Sequence, residues 1–473
     1  MTRMIAKPIA AALLLFLAGC ASMAPKYTQP AAPVPGNWPA GPSYQTAGPT
    51  AEQKPLAEIP WQDFFVEPQL QKLVSLALDN NRDLRVALLN MDRYRALYQI
   101  KRADLLPQVS GDAGLAVKRT ADDLAQNGNG SVSHSYDVGV GISSYELDLF
   151  GRVRSLKDQA LEQYLATEQA RRSVQITLVS QVANAYLTLG SDLERLQLAK
   201  ETLANQQESY KLSKSRFDAG VASALDLQQA QTSVDSARVD IARYTTQVAQ
   251  DLNALVLVVG SDVPQALLPK SLTGNLTALK DVAPGLPSEV LLSRPDILQA
   301  EYNLKGANAN IGAARAAFFP RITLTTSLGF GSDSLTGLFN AGNLAWNFAP
   351  RLSVPIFEGG RNKANLEVAT VDRDIALAQY EKAIQGAFRE VADALAQRGT
   401  IDEQVAAQQS LTGATAETYR LSQARYQTGV DSYLNVLDAQ RSLYAAQQAL
   451  ITTRLARLNN MVTLYKVLGG GSK

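Results

Sequence analysis

Apolar residues return along this chain at two periods, and each change of period marks a new element. From Gly151 to Arg216 there is no proline, and Val174, Leu178, Val182, Ala185, Leu189, Leu193, Leu196 and Leu203 recur at intervals of three, four or seven. That spacing puts them on one face of a helix. A helix of about 65 residues is about 100 Å long at 1.5 Å per residue. A second helical run follows Gly220 and continues to about Val259. Apolar spacing sustained so far predicts coiled-coil packing of two antiparallel rods. Upstream, the period falls to two. Val109, Ala113, Leu115 and Val117 alternate with Ser110, Asp112 and Lys118; Tyr136, Val138, Val140 and Ile142 alternate with Asp137, Gly139, Gly141 and Ser143. Two strands are predicted, joined by a polar loop from Asp122 to Ser135 that holds His134. Such alternation fits a half-buried soluble hairpin or one that crosses a membrane.

The pattern then recurs. Ile322, Leu324, Thr326, Leu328 and Phe330 alternate with small polar residues, as do Trp346, Phe348, Leu352, Val354 and Ile356. One face is apolar with aromatics near its ends, the other is small and polar, and strands of about ten residues are long enough to cross a bilayer. An open strand edge in lipid leaves backbone groups unsatisfied, and four strands are too few to close a water-filled barrel. The hairpins therefore require an oligomer. The rods recur too, over Asn362 to Ser422 and Ser432 to Val467.

Two turns join the rods, and they are near copies. Arg216-Phe217-Asp218-Ala219-Gly220-Val221 answers Arg425-Tyr426-Gln427-Thr428-Gly429-Val430 at an offset of 209 residues. Each Gly sits where a left-handed residue ends the incoming helix. Ser223 and Ser432 are expected as N-caps, with Asp226 and Asn435 three residues later in a capping-box position. Phe319-Pro320 answers Leu106-Pro107 at 213 residues, which predicts a four-residue difference in a hairpin loop. One helical pattern is expected from Glu67 to Pro107, with Leu70, Leu73, Leu76, Leu84, Ala87 and Leu88 as its stripe.

Composition narrows the chemistry. Lys plus Arg (45) balances Asp plus Glu (44), which gives no electrostatic case for nucleic acid. One His, one Cys and five Met in 473 residues leave no metal cluster and no soft-ligand path for copper or silver. No phosphate-binding glycine loop or nucleophile elbow is found, so no enzyme and no cofactor are expected. At the N-terminus, Arg3 and Lys7 precede an apolar run from Ile9 to Leu17. The run is too short to span a bilayer but fits a secretory signal. Leu17-Ala18-Gly19-Cys20 has the form of a lipobox, which would make Cys20 the lipidated first residue of the mature chain. Nine of the 20 prolines lie between Pro25 and Pro60, predicting an extended tether.

A lipobox, a Pro-rich tether and two copies of helix, hairpin, long helix, Gly turn and long helix resemble the TolC/OprM class, the outer membrane channel lipoproteins of resistance-nodulation-division efflux pumps. Tyr145-Glu146-Leu147-Asp148-Leu149-Phe150-Gly151-Arg152, the run from Ala309 to Pro320, and Leu437-Asp438-Ala439-Gln440-Arg441-Ser442 carry the likeness to the OprM-like branch. The resemblance implies a mixed fold: a homotrimeric transmembrane β-barrel of four strands per chain, twelve in total, continued by a long α-helical coiled-coil tunnel in the periplasm. It also implies a gated exit channel in the outer membrane, working with a periplasmic adaptor protein and an inner-membrane transporter. By that resemblance the adaptor meets the helix turns, here Arg216, Gly220, Val221, Arg425, Gly429 and Val430. The closed aperture matches an acidic ring at Asp438, an apolar constriction at Leu434, polar ties at Tyr426 and Arg441, and an acidic position at Asp226. Asn435 departs from TolC, which has an aspartate there, so a weaker cation block is implied. Asp438 and Arg441, three apart on one helix, also fit an ordinary solvated pair. Alternatives in the same class are protein secretion and metal-cation efflux; from another class, a lipid-anchored coiled-coil scaffold without a pore.

The expected organisation is a signal peptide at 1–19, a lipid anchor and tether at 20–62, a first repeat at 63–260, a connector at 261–287, a second repeat at 288–468 and a tail at 469–473. The first repeat places its β-hairpin at about 108–146 and its helical hairpin at about 151–259, turning at 217–223. The second places them at about 321–357 and 360–467, turning at 426–432.

Overall fold

The computed structural model describes residues 22–44, 56–125, 129–272, 274, 276–277 and 288–471. The segment expected as a signal peptide, Cys20 and most of 273–287 lie outside the described residues. In chain order the main elements are α1 (Pro68–Asn80), α2 (Arg82–Ala103), β1 (Val109–Arg119), β2 (Val132–Leu147), α3 (Arg152–Asp218) and α4 (Ala224–Val259). The second half repeats them as α5 (Pro295–Ala316), β3 (Arg321–Ser332), β4 (Leu344–Ser353), α6 (Arg361–Gln427) and α7 (Tyr433–Val467). Helices α3 and α6 are 67 residues long each. No helix among the described residues is long and apolar enough to cross a membrane.

The chain forms two compact units. The first, 22–31 with 90–168 and 299–380, carries the strands. They make one antiparallel sheet in the order β1-β2-β3-β4, so the hairpins of the two repeats join through β2 and β3. At that seam Gly139 faces Gly329, and a Cβ on Gly329 would lie 2.3 Å from the Val138 carbonyl oxygen. Every residue of β1 and of β4 is exposed, and each of these strands leaves one edge unpaired within the chain. The extra residues of the first hairpin lie mostly outside its loop, which runs over 120–131 against 333–343 in the second. They lengthen β2, which has 16 residues against 10 in β4, and part of the excess is taken up in a bulge between Ile142 and Tyr145 where Ser144 has φ 60°.

Residues 22–31, rich in proline and without helix or strand, are laid against the helices of this unit. Asn308 donates to the Pro25 carbonyl at 2.7 Å, and the Tyr27 hydroxyl donates to Glu301 at 3.1 Å. Lys305 pairs with the same carboxylate at 2.8 Å and lies over the Tyr27 ring. Gln29 reaches the Tyr380 hydroxyl. Gly312 makes room for the arm: a Cβ there would stand 2.6 Å from the backbone nitrogen of Ala24.

The second unit takes the remaining described residues and holds the larger aromatic core. Leu70, Leu73, Val74 and Ala77 form the buried face of α1. The helical pattern expected from Glu67 to Pro107 is divided between two helices, α1 and α2. Asn81 leaves the helix at ψ 132°, its Oδ1 accepts the Leu84 N–H at 2.9 Å, and its Nδ2 donates to the Val258 carbonyl. An asparagine serves better as a cap than inside a helix, because its side chain competes for nearby backbone groups. Phe64 packs on Tyr465 with ring centroids 4.3 Å apart, and the Tyr465 hydroxyl donates to the Ile59 carbonyl. Buried Arg294 ties α7 to α6 by donating to the Val467 carbonyl at 2.8 Å and to Glu390 at 3.0 Å, with Asp296 as a further partner.

Candidate functional site: the helix turns and the coil above them

The two turns are built alike in their first half. Gly220 has φ 75° and Gly429 φ 78°. Val221 N–H bonds to the Arg216 carbonyl and Gly220 N–H to that of Phe217; Val430 and Gly429 do the same with Arg425 and Tyr426. These are the paired bonds of a left-handed helix terminus, which only Gly enters without a Cβ penalty. The second halves differ. Ser223 forms the expected reciprocal capping box with Asp226, at 3.1 and 3.2 Å. Ser432 makes no side-chain cap, against expectation, and its carbonyl accepts the Asn435 N–H instead. The second turn is held by Arg425, whose guanidinium donates to both oxygens of Asp431 at 2.6 and 3.1 Å. That pairing holds the Asp431 carboxyl below the usual carboxylate range. The apolar tips Val221 and Val430 are 73% and 62% exposed.

Behind the turns lies a small aromatic cluster. Tyr426 and Tyr433 pack at 5.3 Å with Val436, Leu437 and Ala230, flanked by Tyr210 and Tyr419. The Arg216 guanidinium lies 4.6 Å over the Tyr426 ring. The fold therefore brings together Arg216 and Tyr426, which the resemblance assigned to different tasks. Tyr433, only 2% exposed, had been given no role. A signal for it exists, since the first repeat has the small Ala224 at the matching position.

The remaining site residues point outward. Leu434 is half exposed; Asp438 and Arg441 stand 3.9 Å apart with side chains 66% and 63% exposed. Within one chain this is a weak surface pair. Asp226 is committed to its cap. Just above, Arg441, Gln440, Tyr444 and Asp240 border a cavity of about 270 Å³, in which the Tyr444 hydroxyl donates to Asp240. Among the described residues no group of three or more His, Cys, Asp or Glu is placed to hold a metal ion. The arrangement can attract or repel charge and swing between contacts, and it offers no nucleophile with a positioned base.

Further along the coil, α3 and α4 face each other through two acids. Burial and the charge of Asp192 push the Asp251 carboxyl up to about 6, while Arg195, bonded to Asp192 at 2.5 Å, opposes the rise. An unfolded Asp titrates near 3.9. Its folded value is higher, so its contribution to stability is complete below about pH 4 and is lost as the pH passes about 6. Asp251→Asn should therefore melt at a higher temperature than the natural chain at pH 7.5, and the gap should close by pH 4. A gap that is constant with pH would assign the effect to packing.

A model of the outer membrane efflux protein family matches residues 73–261 and 286–470. The solvent efflux pump outer membrane protein SrpC of Pseudomonas putida is 50% identical over 460 residues, covering 97% of this chain and 97% of SrpC. The antibiotic efflux pump outer membrane protein ArpC of Pseudomonas putida is 49% identical over 460 residues, covering 97% and 94%. Among solved structures, the open-state MtrE outer membrane channel of Neisseria gonorrhoeae superposes with a TM-score of 0.86 at 39% identity, over 96% of this chain and 99% of that one.

Proposed function

Since the chain belongs to the outer membrane efflux protein family, we propose that it is the outer membrane exit channel of a tripartite pump, a passive conduit for apolar toxic compounds such as solvents and antibiotics. The observation that carries the reading is the four-stranded sheet with both edges open. Val109, Leu115 and Val117 on β1 and Trp346, Phe348 and Leu352 on β4 are exposed, which suits strands that face lipid. Three chains joined edge to edge supply twelve strands and remove every edge, as a bilayer demands. The relatives named for solvent and antibiotic efflux support the cargo class. Cys20, lipidated, anchors the chain to the outer membrane. The helix turns, with their exposed valines, receive a periplasmic adaptor, and an inner-membrane transporter supplies the energy.

The gate lies at the coil above the turns. Three symmetry-related copies of Asp438 in a narrow aperture concentrate cations and repel anions. Arg441, weakly held inside its own chain, is free to bond across to a neighbour, and the Arg216–Tyr426 contact holds the paired coils of each chain together. Such ties are bistable, which is what a gate requires. In planar bilayers the purified trimer should show a small, flickering conductance, several-fold larger with Asp438→Ala and Arg441→Ala combined. A folded trimer that never conducts would remove the channel reading; a conducting one unchanged by the double variant would remove only the gate.

A further inference from the structure

The described chain begins at Ser22, and it begins beside an apolar groove. The Ser22 hydroxyl meets that of Ser155 at 3.2 Å, and Arg315 donates to the Met23 carbonyl at 3.3 Å. Met23 itself, with Arg315, Phe318, Phe319 and Leu366, lines an open groove of about 490 Å³. Phe318 and Phe319 are exposed there. Nothing in the described chain fills it, although Gly312 and Asn308 hold the arm tightly alongside.

Cys20 is two residues upstream of Ser22. Two residues span at most about 7 Å when extended, which keeps this groove within reach of a chain carried on Cys20. We propose that an acyl chain on Cys20 lies in the groove of Met23, Phe318, Phe319 and Leu366, so that the lipid anchor is seated on its own protein. The inference rests on the lipidation of Cys20 proposed above. Three features favour this occupant over a loose lipid. The start of the described chain is pinned at the groove by the Ser22 and Met23 contacts, one wall of the groove is the arm itself, and the lining is apolar except for Arg315. Arg315 uses one N–H on Met23 and keeps other donors for ester carbonyls of the glyceryl group. Burying apolar methylenes against Phe318 and Leu366 removes both surfaces from water.

The test places the photoreactive residue benzoylphenylalanine at position 366, and separately at 318 in case one variant fails to assemble. The full lipidated chain is irradiated in native outer membranes, digested and analysed by mass spectrometry. The expected product joins the peptide carrying the probe to the Cys20 peptide through an acyl carbon. Crosslinks to free phospholipid or to a peptide of a neighbouring chain would overturn the seat, as would a lipid-bearing Cys20 peptide that stays uncrosslinked at both positions. A Cys20 peptide of unmodified mass in the same digest would overturn the premise and the seat together.

Discussion

Tyr433→Ala should loosen the periplasmic end of the coil by about 3 to 5 kcal/mol, the usual cost of deleting a buried aromatic ring. The ring is 2% exposed and packs on Tyr426, which in turn carries the Arg216 guanidinium. Tyr433 packs on Tyr426, Val436 and Leu437, so the loss is one of packing and propagates to the residues it touches. At about 1.4 kcal/mol per tenfold, amide exchange across residues 419–440 should accelerate by about two to four orders of magnitude if that end opens locally. Tyr433→Phe keeps the ring and should exchange like the natural chain. If the two variants behaved alike, packing would not be what holds this end. Because Tyr426 leans on Tyr433, the alanine variant should also conduct with longer open periods.

Gly260→Val is expected to be as severe, for a different reason. Gly260 ends α4 with φ 79°, and an added Cβ would stand 2.6 Å from the Asn80 carbonyl oxygen and 3.0 Å from the Asn81 Cα. The left-handed conformation costs a β-branched residue about 1 to 2 kcal/mol, and forcing atoms into a packed site adds about 1 to 3 more. The obstacle is backbone and cannot swing aside. It is also the stretch where Asn81 caps α2 and donates to Val258, so displacement there breaks a second junction. Thermal unfolding followed by helical circular dichroism should move down by about 2 to 5 °C. Gly260→Asn, which tolerates the conformation but not the contact, should fall between. A valine variant that melts with the natural chain would mean that the junction yields at no cost.

Spacing made the long helices and both glycine turns legible, because both are written locally: a period of three and four, and a residue that accepts positive φ. What spacing missed depends on partners far along the chain. The apolar stripe from Leu70 to Leu88 runs past Asn81 without marking the break, which its bonds to Leu84 and Val258 make. Ser432 matched Ser223 letter for letter, yet Asp431, bound to Arg425, took over the work of holding the turn. The offset between repeats counted the extra residues of the first hairpin correctly but could not say that they extend a strand. At the site, Asp438 and Arg441 were found by likeness alone. Tyr433 differs from its counterpart Ala224 in the first repeat, but that difference alone does not say what the ring will touch until the neighbouring coil is in place.

The docked arm has a consequence for the order of assembly. Tyr27 bonds a residue 274 positions later in the chain, and Gln29 one that is 351 positions later. Contacts of such separation form slowly, since the loop they close must first be ordered. The part of the described chain that is synthesised first is thus among the last to find its place. Until α5 and α6 exist, residues 22–31 have nothing to dock against. The first stretch of the arm to be made is thus the last to be fastened.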